Sequence, residues 1–224
     1  MCFSATASFS AAGFLTLAGV ATLSKVRDGR EAPLASVPLI FALQQGIEGL
    51  LWLTVPAGHP AGRSLATGFA ILALIVWPMF IPLAIGLAEK TGTRRRVILA
   101  LTGPGLGVAG YSVLDIWQSP YMAWPAPHSL VYINNSPFPW PLMLAYLAAT
   151  CTPPLLSSSP AIRWFGVVVT LGLAATLGFF FVSLVSVWCF FAAVGSAILV
   201  GYFWRALPAL ETVSSGSGPR RFRC

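Results

Sequence analysis

Four side chains combine reactivity with an unusual setting: Cys2 in "MCFSATASFS", Glu48 in "LQQGIEGLLW", His128 in "QSPYMAWPAPHSLVYINNSP" and Cys189 in "SVWCFF". Thiolate and imidazole ligands suit zinc or copper, so Cys2, His128 and Cys189 form one candidate metal set. Two other readings of the cysteines stay open: a Cys2–Cys189 disulfide in an oxidising compartment, or two ordinary buried thiols. No C-x-x-C or H-E-x-x-H spacing supports the metal set locally. A carboxylate inside an apolar stretch is expensive, ~2.5–3.5 kcal/mol at the bilayer centre on insertion scales, and marks function or a buried partner. Glu48 and His128 are therefore the candidate catalytic proton carriers. Gln44, Glu48 and Trp52 recur every fourth residue and share one helix face, with Gln45 beside it. That face must look into protein, because lipid satisfies no hydrogen bond. Asp115, Tyr132 and Trp188 complete the candidate ligand-binding set with Gln44, Gln45 and Trp52.

The elements that hold these groups follow from composition. Only 8% of the 224 residues are charged and 57% are hydrophobic. A soluble domain carries roughly 25% charged residues, so this chain cannot cover a water-facing surface. Apolar runs near 20 residues, the span of a ~30 Å hydrocarbon core, recur along its length. The expected fold is an all-α, polytopic membrane bundle of seven spans, at 5–24, 34–55, 65–87, 97–117, 138–156, 163–181 and 185–207. Residues 1–207 read as a single transmembrane domain and 208–224 as a basic, unstructured tail. The last two spans share one nearly unbroken apolar stretch from Trp164 to Trp204, with a tight turn expected around "FFFVSLVS".

Charge sets the orientation. Of the 13 Lys and Arg residues, all but Arg63 fall on one side of a seven-span arrangement. Basic residues collect on cytoplasmic loops, which puts the N-terminus outside and the C-terminus inside. The net charge of +7 is then a topological signal, and nucleic acid is not an expected partner. The N-terminus lacks the basic region and cleavage site of a secretory signal and reads as the outer end of the first helix. Its Ser4, Ser8 and Ala12 form a small-residue stripe that lets a neighbour approach closely. At 1.5 Å per residue, Glu48, Asp115 and Cys189 lie roughly 5, 12 and 10 Å outward of their span midpoints. Cys2, His128 and Tyr132 belong to the same outer side.

Three stretches should disturb their helices: "WPMFIP", "TGPGLGVAG" and "CTPPLL". Proline removes a backbone donor and glycine loosens a helix, which serves either close packing or a broken, substrate-binding helix. A retinal site is excluded, because the only lysines, Lys25 and Lys90, lie in cytoplasmic loops. His59 and His128 both sit in loops, a poor supply of ligands for haem.

The opening "MCFSATASF", with "LQQGIEGLLW", "WPMFIPLA", "AYLAATCTPPLLSSS" and "SVWCFFAA", resembles a family of bacterial multi-pass membrane proteins described only as a domain of unknown function. The resemblance implies an integral protein of the bacterial inner membrane, and treats Cys2, Glu48, His128, Trp188 and Cys189 as a set. It implies no activity.

Three functions therefore compete. The first is an outward-facing intramembrane site that binds or transforms a small ligand or metal. The second is a small-solute or proton transporter or channel using Glu48. The third is an accessory or sensor subunit of a larger membrane complex. The bilayer is the one partner that the sequence requires; a homo-oligomer or larger assembly is compatible with it.

Overall fold

The computed structural model describes residues 4–90, 92–126, 129–136 and 138–205. Cys2, His128 and the expected tail at 208–224 lie outside these residues. Helix follows helix: α1 (Ala5–Leu23), α2 (Ala32–Thr54), α3 (Ala61–Ile71), α4 (Trp77–Ala88), α5 (Thr93–Ala100) and α6 (Thr102–Gln118). An antiparallel hairpin, β1 (Met122–Ala126) and β2 (Ser129–Ile133), precedes α7 (Trp140–Leu156), α8 (Pro160–Phe179), α9 (Leu184–Ser196) and α10 (Ile198–Arg205).

Continuous helical stretches combine several of these elements. Six are long and apolar enough to cross a membrane: Ala5–Leu23, Gly29–Thr54, Ala61–Ala88, Thr93–Gln118, Pro160–Phe179 and Phe181–Trp204. α7 is apolar but has 17 residues, about 25 Å of rise. The expected turn in the last apolar stretch falls where predicted: α8 stops at Phe179 and a short 3-10 turn, Phe181–Ser183, leads into α9. With α7 counted between the fourth and fifth of these, consecutive stretches run antiparallel, so the molecule has two ends. One carries the hairpin; the other carries most of the Lys and Arg residues, in connections such as the one with Lys25 and Arg27 and in the first turns of α5 (Arg94–Arg96) and α8 (Arg163).

Small residues let helices close on each other, as apolar association in lipid requires. Gly49 of α2 lies under the Phe9 ring of α1, and Gly19 of α1 meets Leu39 of α2. Thr22 donates its hydroxyl to the Ala35 carbonyl at 2.6 Å, closing the same seam. In the small-residue stripe, Ser8 is buried, while Ser4 caps α1 by accepting from the Ala7 N–H.

The helix-disturbing stretches have specific consequences. Between α3 and α4, Leu72–Val76 form a π-helical turn, and the Trp77 N–H reaches back to the Leu72 carbonyl. The next acceptor, Ala73, would need an N–H from Pro78, which has none. The Tyr146 hydroxyl of α7 donates to that Ala73 carbonyl at 2.8 Å instead. The Pro78 carbonyl faces the same deficit, because Pro82 follows four residues on. Gly105 of α6 passes so close that a Cβ there would stand 1.9 Å from this oxygen. The break expected in "TGPGLGVAG" falls at Leu101, just ahead of Gly103 and Pro104, where α5 gives way to α6.

Candidate functional site

The α2 face supplies three large polar side chains to the interior. Gln44, Gln45 and Glu48 are all completely buried, as their spacing requires. The Ser186 hydroxyl of α9 donates to Glu48 Oε1 at 2.5 Å, and Gln45 Nε2 donates to Glu48 Oε2 at 3.4 Å. Gln44 turns elsewhere: its Oε1 accepts from the Trp77 indole N–H at 2.5 Å. The Phe41 ring stacks on that indole at 3.9 Å. Trp52, four residues beyond Glu48, is half-buried and packs in a second apolar cluster with Leu51, Phe69, Leu130 and Cys189. Gln44 Nε2, Gln45 Oε1 and the Trp52 indole nitrogen are buried with no partner among the described residues.

On α9, Ser186 and Cys189 are three residues apart and therefore share a face. The buried, free thiol of Cys189 abuts the Gln44 side chain and lies within electrostatic reach of Glu48. The network thus joins α2, α4 and α9. Among the described residues no three His, Cys, Asp or Glu side chains converge as a metal set. The other two members of the expected set, Cys2 and His128, lie outside the described residues.

Next to this network is a cavity of about 330 Å³, within the range of small-molecule sites. Its floor is Tyr146, Trp188 and Cys189, and its walls include Phe69, Leu74, Leu147, Leu173 and Val185. The Tyr146 and Trp188 rings meet edge to face at 5.6 Å. Each ring is held: Tyr146 through Ala73, and Trp188 by donating its indole N–H to the Val169 carbonyl at 3.0 Å. A smaller void of about 30 Å³ lies beyond them and shares Tyr146, Trp188 and Cys189 as its boundary.

The hairpin roofs the cavity. Leu130 is completely buried, the Ser129 and Ser183 hydroxyls meet at 2.5 Å, and the Tyr132 ring stacks on Phe69 at 4.3 Å. Its outer flank is clasped by Asp115, which accepts from Asn134 Nδ2 at 2.6 Å. The sequence permits a water-facing Asp115; the structure buries it under this loop, because the amide replaces the hydrogen bonds of water. Burial and the neighbouring Asp115 charge push the Tyr121 phenol up to about 12.

Sequence reasoning named Tyr132, Trp188 and Cys189, which the fold brings to one cavity. It missed Tyr121, Asn134 and Tyr146, which also line it, and Ser186, which bonds Glu48. A tyrosine in mid-span, as in "AYLAAT", was a usable signal, since a buried phenol needs an acceptor. The hairpin, not expected from the sequence, had also left a signal. "SLVYI" is rich in β-branched and aromatic residues and ends at a polar Asn-Asn-Ser.

The chain belongs to a family of unknown function (DUF6629), whose model matches residues 1–213. No curated protein and no solved structure matches it.

Proposed function

We propose that this is an integral membrane protein whose hairpin-roofed cavity binds a small, mostly apolar molecule. The observation that carries this reading is the cavity itself: about 330 Å³, walled by aromatic and aliphatic side chains, with a few polar groups at its edges. Apolar lining with sparse polar groups is the usual composition of a small-molecule site. Trp188 supplies a rigid aromatic surface, Tyr132 a second one, and Cys189 a polarisable thiol at the floor. Glu48, Gln44 and Gln45 form the polar layer behind that floor. In this reading the chain crosses the membrane seven times, with the N-terminus and hairpin outside and the basic end in the cytoplasm, as the distribution of Lys and Arg favours.

The test is to purify the protein in mild detergent and identify small molecules that co-purify. Val185→Trp, which fills the cavity, should release them, while Leu17→Trp on an exposed face of α1 should not. Equal retention by both variants would reject the site.

One observation favours a second reading, transport. The smaller void continues on the far side of Tyr146, Trp188 and Cys189, so rotation of those side chains would extend the path toward the basic end. Solute or proton flux in proteoliposomes that disappears in Glu48→Gln would put transport first.

A further inference from the structure

We infer that the cavity is loaded sideways from the bilayer, through a gap between the hairpin-end halves of α7 and α8. Its ligand is then a single-headed amphiphile with an uncharged, hydrogen-bonding head. This inference rests on the cavity being a binding site.

At the other end the two helices are pinned together. Gly166 of α8 packs against Pro154 and Leu155 of α7 so closely that a Cβ would stand 2.9 Å from the Leu155 nitrogen. The connection between the helices is fastened there as well. Glu89 accepts from the Ser157 hydroxyl at 2.9 Å and the Ser158 N–H at 3.0 Å, and Arg163 donates to both of those residues' carbonyls.

Toward the hairpin end each helix is held by a different neighbour. α7 is tied to the π turn through Tyr146 and to α6 by the Tyr111–Phe138 ring contact just ahead of it. α8 is tied to α9, where Gly172 meets Phe191 and Trp188 donates to the Val169 carbonyl. The cavity lies between the two helices: Met143 and Leu147 of α7 and Leu173 of α8 line it. Met143 is exposed, and Leu147 and Leu173 are partly so. Their neighbours Leu144 and Leu177 face outward, so the gap opens onto a surface that suits hydrocarbon chains.

The polar lining fixes the head. Tyr121, Asn134 and Ser136 lie beside the hairpin, and all three are neutral hydrogen-bonding groups. Asn134 already satisfies Asp115 and receives the Ser136 N–H, so the acid is covered and offers the ligand no bare charge. A hydroxyl or carbonyl head fits these groups. A cavity near the lower limit of ligand sites holds the head and the first part of a chain, and the rest of the chain leaves between the helices.

The experiment uses full-length protein in proteoliposomes, with Cys2, Cys151 and Cys224 replaced by Ser so that Cys189 is the reporter. A parallel protein carries Val185→Cys with Cys189→Ser. Each is alkylated with N-benzylmaleimide, which enters the bilayer, and with a sulfonated maleimide, which stays in water. Lateral loading predicts reaction with the first reagent and not the second. Leu147→Trp should slow it about tenfold, a barrier rise of roughly 1.4 kcal/mol. Leu147→Ala should speed it, which guards against a variant that merely misfolds. Dodecanol should protect the thiol, and dodecane should not.

Equal labelling by both reagents, insensitive to position 147, would place the entrance on the aqueous side and overturn the lateral route while sparing the cavity as a site. Equal protection by dodecane would overturn the polar head. Failure of both reporters to react with either reagent would overturn the cavity reading itself.

Discussion

At the residue scale, two features are set by missing backbone donors. Tyr146 exists in this packing because Pro78 cannot pair with Ala73, and its hydroxyl supplies the bond. Tyr146→Phe should therefore cost on the order of 0.6 kcal/mol and no more than about 1.7, the average and the maximum for hydrogen bonds between membrane helices. Unfolding by titration from a mild detergent into a denaturing one reads this directly. Gly105 is the second feature. Gly105→Ala drives a methyl into the Pro78 carbonyl and should destabilise by about 1–3 kcal/mol, as overpacking does. Gly107→Ala, two residues along with nothing near its Cβ, should be neutral or stabilising by roughly 0.5–1 kcal/mol, since alanine holds a helix better. Equal losses at both positions would mean that α4 and α6 do not meet at Gly105.

The hairpin is the element that the site depends on, and its clasp is titratable. Tyr121 lies outside the helices, and burial followed by the Asp115 charge raises its phenol to about 12. The ordinary unfolded value is about 10. Because the folded value is the higher one, the stabilisation is fully present below about pH 10 and is lost as pH rises through 12. A difference spectrum of phenolate absorbance, wild type minus Tyr121→Phe, should show this titration. Asp115→Asn should move it down only in part, because burial is the larger cause. A Tyr121 titration at the ordinary value would show that the loop does not close over it.

For the whole molecule, the testable quantity is orientation. In a cysteine-free background, Met122→Cys in the hairpin should react with an impermeant thiol reagent applied to intact cells. Arg94→Cys at the basic end should react only after permeabilisation. Both side chains stand at opposite ends of the bundle and are exposed. The reverse pattern would invert the molecule and turn the cavity toward the cytoplasm.

How much of this was legible in the chain depends on the range of the forces involved. Hydrophobic run length and the positions of Lys and Arg are local properties, so the apolar stretches and their turns could be read off directly, the one before Phe181–Ser183 included. Spacing by four put Gln44 and Glu48 on one face, and the intolerance of lipid for a carboxylate turned that face inward. Proline placement likewise announced disturbed helices at Pro78 and Pro104. What lipid cannot accept does not say which protein group will accept it. Tertiary structure alone decided that Ser186, 138 residues away in sequence, bonds Glu48, and that Gln44 serves Trp77. It also decided that Asp115 pins a hairpin rather than meeting water, and that residues of α7, α8 and α9 enclose a cavity beside Trp188 and Cys189. Such pairings join distant segments whose apolar helices are chemically alike, so the choice among neighbours lay in close shape fits, at Gly105, Gly166 and Gly172, that no one-dimensional pattern records.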